Sequence, residues 1–344
     1  MDIITQGLLG GLLAQSAAKT DKSGKDEKKR ATVVGAFAGL LADADILISS
    51  SSDPLLNIEY HRHFSHSLLF IPIGAAIACL LLWPFMRRHL SIQRLYIYSL
   101  LGYSMSGILD ASTSYGTHLF WPFSNERVAW HLISIIDPIF TFILLVTLLL
   151  GLIKKQRYVV FVGLALSFLY VSFGFVQSQR AQEIAGELAL SRDHTVMKHV
   201  VKPTLGNLIL WRSVYIHEQR IYVDAIRVGL FNGGETFEGE SVARYMPGKD
   251  LSELIPGTVL YEDVQRFQRF SDGFVAIDPT KSNVLGDIRY SMLPTSAKPL
   301  WGIVIDQTQP QQHAKYQFFR DNSKLVRQTF VNMLLGRCAS DECL

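Results

Sequence analysis

Tyr60-His61-Arg62-His63-Phe64-Ser65-His66-Ser67 sets three imidazoles and a guanidinium at the head of an apolar run that continues to Met86 and stops at Arg87-Arg88. A helix rises about 1.5 Å per residue, so a run of about 20 apolar residues spans the hydrocarbon of a bilayer. Ionisable groups at the edge of hydrocarbon are costly to hold there, and their concentration at the mouth of a span marks a candidate site. The fold class follows from asking what other segments share this character.

Outward from the octad, further apolar segments run over residues 3–18, 31–49, 95–109, 131–153 and 158–177. The basic clusters between them (Lys19 to Arg30, Arg87 to Arg94, Lys154 to Arg157) fall in alternate loops, and the positive-inside rule puts all three on the cytoplasmic side. The octad, the loop 111–130 and everything after residue 177 then lie on the other side. Apolar residues make up 49% of the 344 and charged ones only 18%, with a mean hydropathy of +0.20, which favours membrane insertion. A net charge of +3, carried in short clusters flanking apolar segments, excludes nucleic acid as a partner and leaves membrane lipid. Cys79, Cys338 and Cys343 make no disulfide framework or zinc-finger spacing, though the last two allow a tail disulfide. Nothing at the start of the sequence reads as a removable signal peptide.

After Gln177 the pattern changes. Residues 178–200 read as a polar helix, and alternation over 208–217 and 220–231 around Glu218-Gln219 reads as a β-hairpin. Strand-like runs follow at 273–277, 288–293, 300–305 and 315–319, then an amphipathic helix over 323–335. The expected architecture is an α-helical polytopic membrane domain of four to five spans over residues 1–177, followed by a soluble extracytoplasmic α+β domain over 178–344.

Depth along each span brings polar residues to one level. Asp45 lies about 20 Å along a helix entering at Ala31, and Asp110 a similar distance along one entering at Leu95. His66 begins its span at that level, and Asp137 is about 9 Å below His131 on a helix running the other way. If the first segment spans, Asp2 and Gln6 join the same layer. Carboxylates mixed with imidazoles are transition-metal ligands, and a bound cation offsets the cost of holding carboxylates near lipid.

Five ordered motifs carry a resemblance: Met-Asp-x-x-Thr-Gln at the start, Ala42-Asp43-Ala44-Asp45, His61-Arg62-x-Phe64-Ser65-His66-Ser67, Leu109-Asp110-x-x-Thr113-Ser114-Tyr115-Gly116-Thr117 and Trp121-Pro122-Phe123-Ser124. Together they cover about the first 150 residues, which resemble the YdjM-like family of metal-dependent hydrolases of the bacterial inner membrane. The sequence departs from the family pattern at His63, where glycine is common, and at Ser106, where histidine is common.

The resemblance implies a hydrolase, and the shared depth together with the family match points to one or two divalent ions, zinc or manganese, held by Asp43, Asp45, His61, His66 and Asp110. Gln6, Arg62, Thr113 and Thr117 would support those ligands or the substrate. Arg62 suits either a phosphate or a carboxylate. His131 and Asp137 are candidates for general acid and base, although Asp137-Pro138 reads equally as a helix entry. A site at headgroup depth suits a lipid-linked or phosphoester substrate. The competing expectation is a non-enzymatic membrane anchor that presents a C-terminal domain to a partner or envelope polymer. Trp121 and Phe123 read as interfacial anchors, and Gly10-Gly11 as a close helix contact.

Overall fold

A computed structural model describes residues 1–19, 25–50, 52–154, 156–231, 233–252 and 254–337, and the chain divides into two compact units. The first contains Met1–Ile48, Tyr60–Val176 and Leu205–Asn207; the second contains Ser49–Glu59, Gln177–Thr204 and Leu208–Leu344. Cys338 and Cys343 lie outside the described residues.

In the first unit, α1 (Ile3–Ala17) is capped by Asp2, whose carboxylate accepts from the Thr5 amide at 3.0 Å. It packs on α2 (Lys25–Leu41) and α5 (Ile92–Ser104) through bare backbone. A Cβ on Gly10 would lie 2.5 Å from the Gly35 carbonyl oxygen and 3.0 Å from that of Gly102, so three glycines let three helices touch. The short α3 (Leu56–Tyr60), in the second unit up to Glu59, runs into the octad at Tyr60, and two 3₁₀ turns (Phe64–His66 and Leu68–Phe70) lead into α4 (Ile71–Met86). The short α6 (Ser106–Ala111) follows α5, then come α7 (Pro138–Lys154) and the long α8 (Arg157–Ser191), which belongs to the second unit from Gln177 on.

Two helical stretches, Leu68–Met86 and Arg157–Ser191, are long and apolar enough to cross a membrane; Ile3–Ala17 and Pro138–Lys154 are apolar but shorter. Several expected helices end early. The segment expected over 31–49 turns into a tighter 3₁₀ helix at Ala42–Leu47, and the one over 95–109 breaks at Met105. The segment expected from His131 becomes helical only at Pro138, because His131 holds a left-handed backbone (φ 54°) that a helix cannot continue through. The basic stretch read as a solvated turn is in part helix: Lys25–Arg30 open α2, and Lys28 is buried with its Nζ 3.5 Å from the Gly151 carbonyl.

The second unit holds two four-stranded antiparallel sheets. The first runs β1 (Lys198–Pro203), β2 (Leu210–His217), β3 (Arg220–Val228), β4 (Gly234–Ala243), and the second runs β5 (Val275–Asp278), β6 (Lys281–Asp287), β7 (Trp301–Val304), β8 (Lys315–Phe318). The hairpin of β2 and β3 pairs His217 with Arg220 around Glu218-Gln219, as its alternation predicts. One face of that sheet packs Trp211, Ile226 and Val228 on Ala181 and Ala185 of α8, while the other packs Val214, Ile216, Ile221 and Val223 on Phe274, Ala276 and Ile288. Burial on both faces explains why β2 is buried along nearly its whole length. The helices α9 (Val259–Phe270) and α10 (Lys324–Leu335) complete the unit. The strand expected at 288–293 is irregular; the chain pairs at 281–287 instead. The helix expected over 178–200 ends at Ser191 so that β1 can begin.

Candidate metal centre

Three pieces of the first unit converge on His66: the 3₁₀ helix Ala42–Leu47, the 3₁₀ turn Phe64–His66, and α6. Asp43 and Asp45, two residues apart, do not share a face, yet both reach the imidazole because its two nitrogens lie on opposite edges of the ring. His66 Nε2 is 3.2 Å from Asp43 Oδ1 and 2.9 Å from Asp110 Oδ2, and Nδ1 is 3.2 Å from Asp45 Oδ2. The ring is buried, and Gly107 lets α6 come close to the His66 backbone: a Cβ there would sit 2.0 Å from the His66 carbonyl oxygen.

Asp45 is the most fully bonded of the carboxylates. His61 Nδ1 meets its Oδ1 at 2.9 Å, while the Arg62 amide and the Ser65 hydroxyl donate to its Oδ2 at 2.8 and 2.7 Å. Ser65 Oγ also lies 3.1 Å from His66 Nδ1, and its carbonyl accepts from the Tyr103 hydroxyl at 2.7 Å. Asp110 is enclosed by donors: the amino group of Met1, Gln6 Nε2 at 3.1 Å and Arg62 Nε at 3.3 Å.

Arg62 has a left-handed backbone (φ 63°), and its carbonyl oxygen accepts from the Thr117 hydroxyl at 2.9 Å and the His118 amide at 3.1 Å. Its Nη2 donates to the Met1 carbonyl at 3.1 Å and its Cζ lies 5.1 Å from the centre of the Tyr115 ring, while Nη1 is buried without a hydrogen-bond partner among the described residues. Arg127 lies 5.0 Å from the centre of the same ring. Thr113 bonds the Asp110 carbonyl at 2.8 Å and so fixes the end of α6.

The donor set fits a divalent cation. Ligand atoms of Asp43, Asp45 and His66 lie within 4.8 Å of one another. On the Nε2 edge of His66 the 3.2 Å to Asp43 and 2.9 Å to Asp110 match the edges of a shell whose bonds are roughly 2.1 Å, while Asp45 lies 3.2 Å from Nδ1 on the other edge. Both ring nitrogens face carboxylate oxygens, which favours positive charge there, whether an imidazolium or a metal ion. Gln6 Oε1, beside Asp110, is a buried acceptor with no hydrogen-bond partner among the described residues, which also favours positive charge there. His61 bonds Asp45 from outside this group of three, and Asp110 already carries the Met1 amino group and Arg62.

His131 lies between Trp130 and Leu132, whose amides donate to the Ala111 and Ser112 carbonyls just after Asp110 at 2.7 and 2.9 Å. Asp137 is buried at the start of α7, where it accepts from the Phe140 amide at 3.1 Å and from the Tyr170 hydroxyl at 2.9 and 2.8 Å. His63 faces aromatic rings, with His118 at 4.4 Å and Trp121 at 5.8 Å between ring centroids. Burial, with Arg127 and His63 adding to it, pushes the His118 imidazole down from 6.5 to about 4, so it is neutral where the octad meets the 112–130 loop. Ser106 bonds the Gly39 carbonyl at 3.3 Å and stands apart from the imidazole. Residue patterns assigned no role to Ser65, Tyr103, Tyr115, Tyr170 or the Met1 amino group, although Met1, Ser65 and Tyr115 fall within the quoted motifs.

Two apolar helices long enough to cross a bilayer, in a chain with a buried cluster of carboxylates and imidazole, are the features of a helical membrane protein with a polar site. The chain belongs to the YdjM inner membrane protein family, which matches residues 1–181. It matches no curated protein and no solved structure.

Proposed function

We propose that the chain is a multi-pass inner-membrane hydrolase that uses one divalent zinc or manganese ion at Asp43, Asp45 and His66. The observation that carries this reading is the convergence of three ligand atoms from two separate stretches of chain within 4.8 Å, beneath a family match to inner membrane proteins. When bound, the ion supplies Lewis acidity and a water acidified enough to act as nucleophile. Asp45 is aimed by Ser65 and by the Arg62 amide. His61, on Asp45 with its ring still 20% exposed, is the group placed to carry protons between the centre and solvent. Asp137, tied to Tyr170, caps α7 in this reading.

Arg62 gives the substrate class. Its buried Nη1 without a partner, with the Tyr115 ring beside it, suits one oxygen of a phosphate, and a site at headgroup depth suits a phosphoester attached to lipid. The alternation of basic clusters supports four to five spans over residues 1–177 and an extracytoplasmic domain over 178–344, with the centre on that same side.

The full chain in detergent, given a chromogenic phosphodiester and Mn²⁺ or Zn²⁺, is expected to turn it over. Chelation should abolish turnover, added ion should restore it, and His66→Ala should reduce it at least ~100-fold. Turnover that survives both chelation and His66→Ala would overturn the reading. A chain with no turnover, whose octad tolerates substitution in cells, would leave it a membrane anchor.

A further inference from the structure

The two halves of the donor set are joined by a segment that folds with the other unit. Asp43 and Asp45 belong to the first unit, which ends for this stretch at Ile48; the chain returns to it at Tyr60, one residue before His61. Between them, Ser49–Glu59 is part of the second unit. There Leu55 and Ile58 are buried with Leu260, Val264 and Phe267 of α9 and Trp301 of β7.

Arg266 of α9 clamps this segment at two points. Its Nη1 and Nη2 donate to Asp53 Oδ1 and Oδ2 at 3.1 and 2.9 Å, and its Nε and Nη2 to Glu59 Oε1 and Oε2 at 2.8 and 2.7 Å. Both are forked guanidinium–carboxylate pairs, whose two parallel bonds fix orientation as well as distance. Asp263, buried one turn earlier on α9, accepts from Arg266 at 3.0 Å, from His313 Nδ1 at 2.9 Å and from the Ala314 amide at 2.9 Å, so the clamp itself is held on two sides. Asp53 also accepts from the Leu55 amide at 3.1 Å, and Glu59 sits inside α3 with Tyr60, so one helical turn carries its position to His61.

We infer that Arg266 is a positioning residue for the metal centre. By fixing Asp53 and Glu59, the C-terminal domain sets the register in which His61, Arg62 and His66 return to Asp43 and Asp45. The inference rests on the reading of Asp43, Asp45 and His66 as ligands. An unclamped linker over residues 46–60 would have to be closed entropically each time the two halves meet, whereas a segment clamped by a buried core and two forked ion pairs has already lost that freedom. The family match ends at residue 181, so the segment lies within the family region and its anchor lies beyond it.

The test uses the full chain in detergent and two readouts, amide exchange over residues 60–66 and the Mn²⁺ dissociation constant. The Arg62 amide is the reporter, because its protection comes from its bond to Asp45. Arg266→Ala is expected to speed exchange over 60–66 at least ~10-fold and to weaken Mn²⁺ binding ~10–100-fold, with Asp53→Asn giving a smaller change of the same sign. Arg192→Ala, which breaks the Arg192–Asp224 pair of the same unit, should leave both unchanged. Faster exchange over 49–59 with 60–66 unaffected in Arg266→Ala or Asp53→Asn would overturn the inference, as would equal effects of Arg192→Ala. A wild type that binds no Mn²⁺ yet shows the expected exchange would remove the proposed metal chemistry and leave the positioning role standing.

Discussion

His66 meets three carboxylates because Gly107 opposite has no side chain, and a Cβ there would lie 2.0 Å from the His66 carbonyl oxygen. Backbone cannot yield that distance, so Gly107→Ala should push the Phe64–His66 turn away from α6. The expected outcome is a loss of about 1–3 kcal/mol of stability in thermal unfolding, together with weaker Mn²⁺ binding. The motif residues at this site are legible in the sequence because a carboxylate or an imidazole at a membrane boundary is conspicuous, and equal depth along several spans groups Asp43, Asp45, His66 and Asp110. Depth says nothing of direction. The bonds of Ser65 to Asp45 and of Met1 to Asp110 depend on a tight turn and on where a helix cap points, and single residues carry no trace of either. For Asp137 the sequence offered helix entry as an equal reading, and the helix expected from His131 starts at Pro138, with Asp137 as a cap facing Tyr170.

Among the elements, the loop over 112–130 makes a pH prediction. His118 in the fold takes up its proton only near pH 4, against an ordinary value of 6.5. The unfolded chain therefore binds more protons than the folded one between those values, and stability must fall as pH drops from 6.5 toward 4. His118→Asn is expected to flatten this acid limb of a Tm-against-pH curve, and an unchanged limb would contradict the account. The second unit shows which elements announce themselves. The β2–β3 hairpin was legible from alternation on either side of Glu218-Gln219. β4 was not, because among its residues only Phe237 is buried, and β6 was not, because Lys281, Ser282 and Asn283 are exposed at its start. In α9, Leu260, Val264 and Phe267 repeat at helical spacing behind the Thr258 cap, a signal present in the sequence but unread.

At the scale of the whole molecule, the chain is a helical region followed by antiparallel sheets, and it belongs to the YdjM inner membrane protein family. Composition carries that division well, since apolar runs and period-two alternation differ plainly. It cannot show that Ser49–Glu59, lying between two helical stretches, folds with the sheets, because Leu55 and Ile58 look like any apolar pair until their core is known. The central claim is that Asp43, Asp45 and His66 hold a metal ion. Elemental analysis of the purified full chain tests it most directly: the account predicts about one equivalent of zinc or manganese in the wild type and none in His66→Ala or Asp45→Ala. A wild type that carries no stoichiometric metal after equilibration with either ion would contradict it.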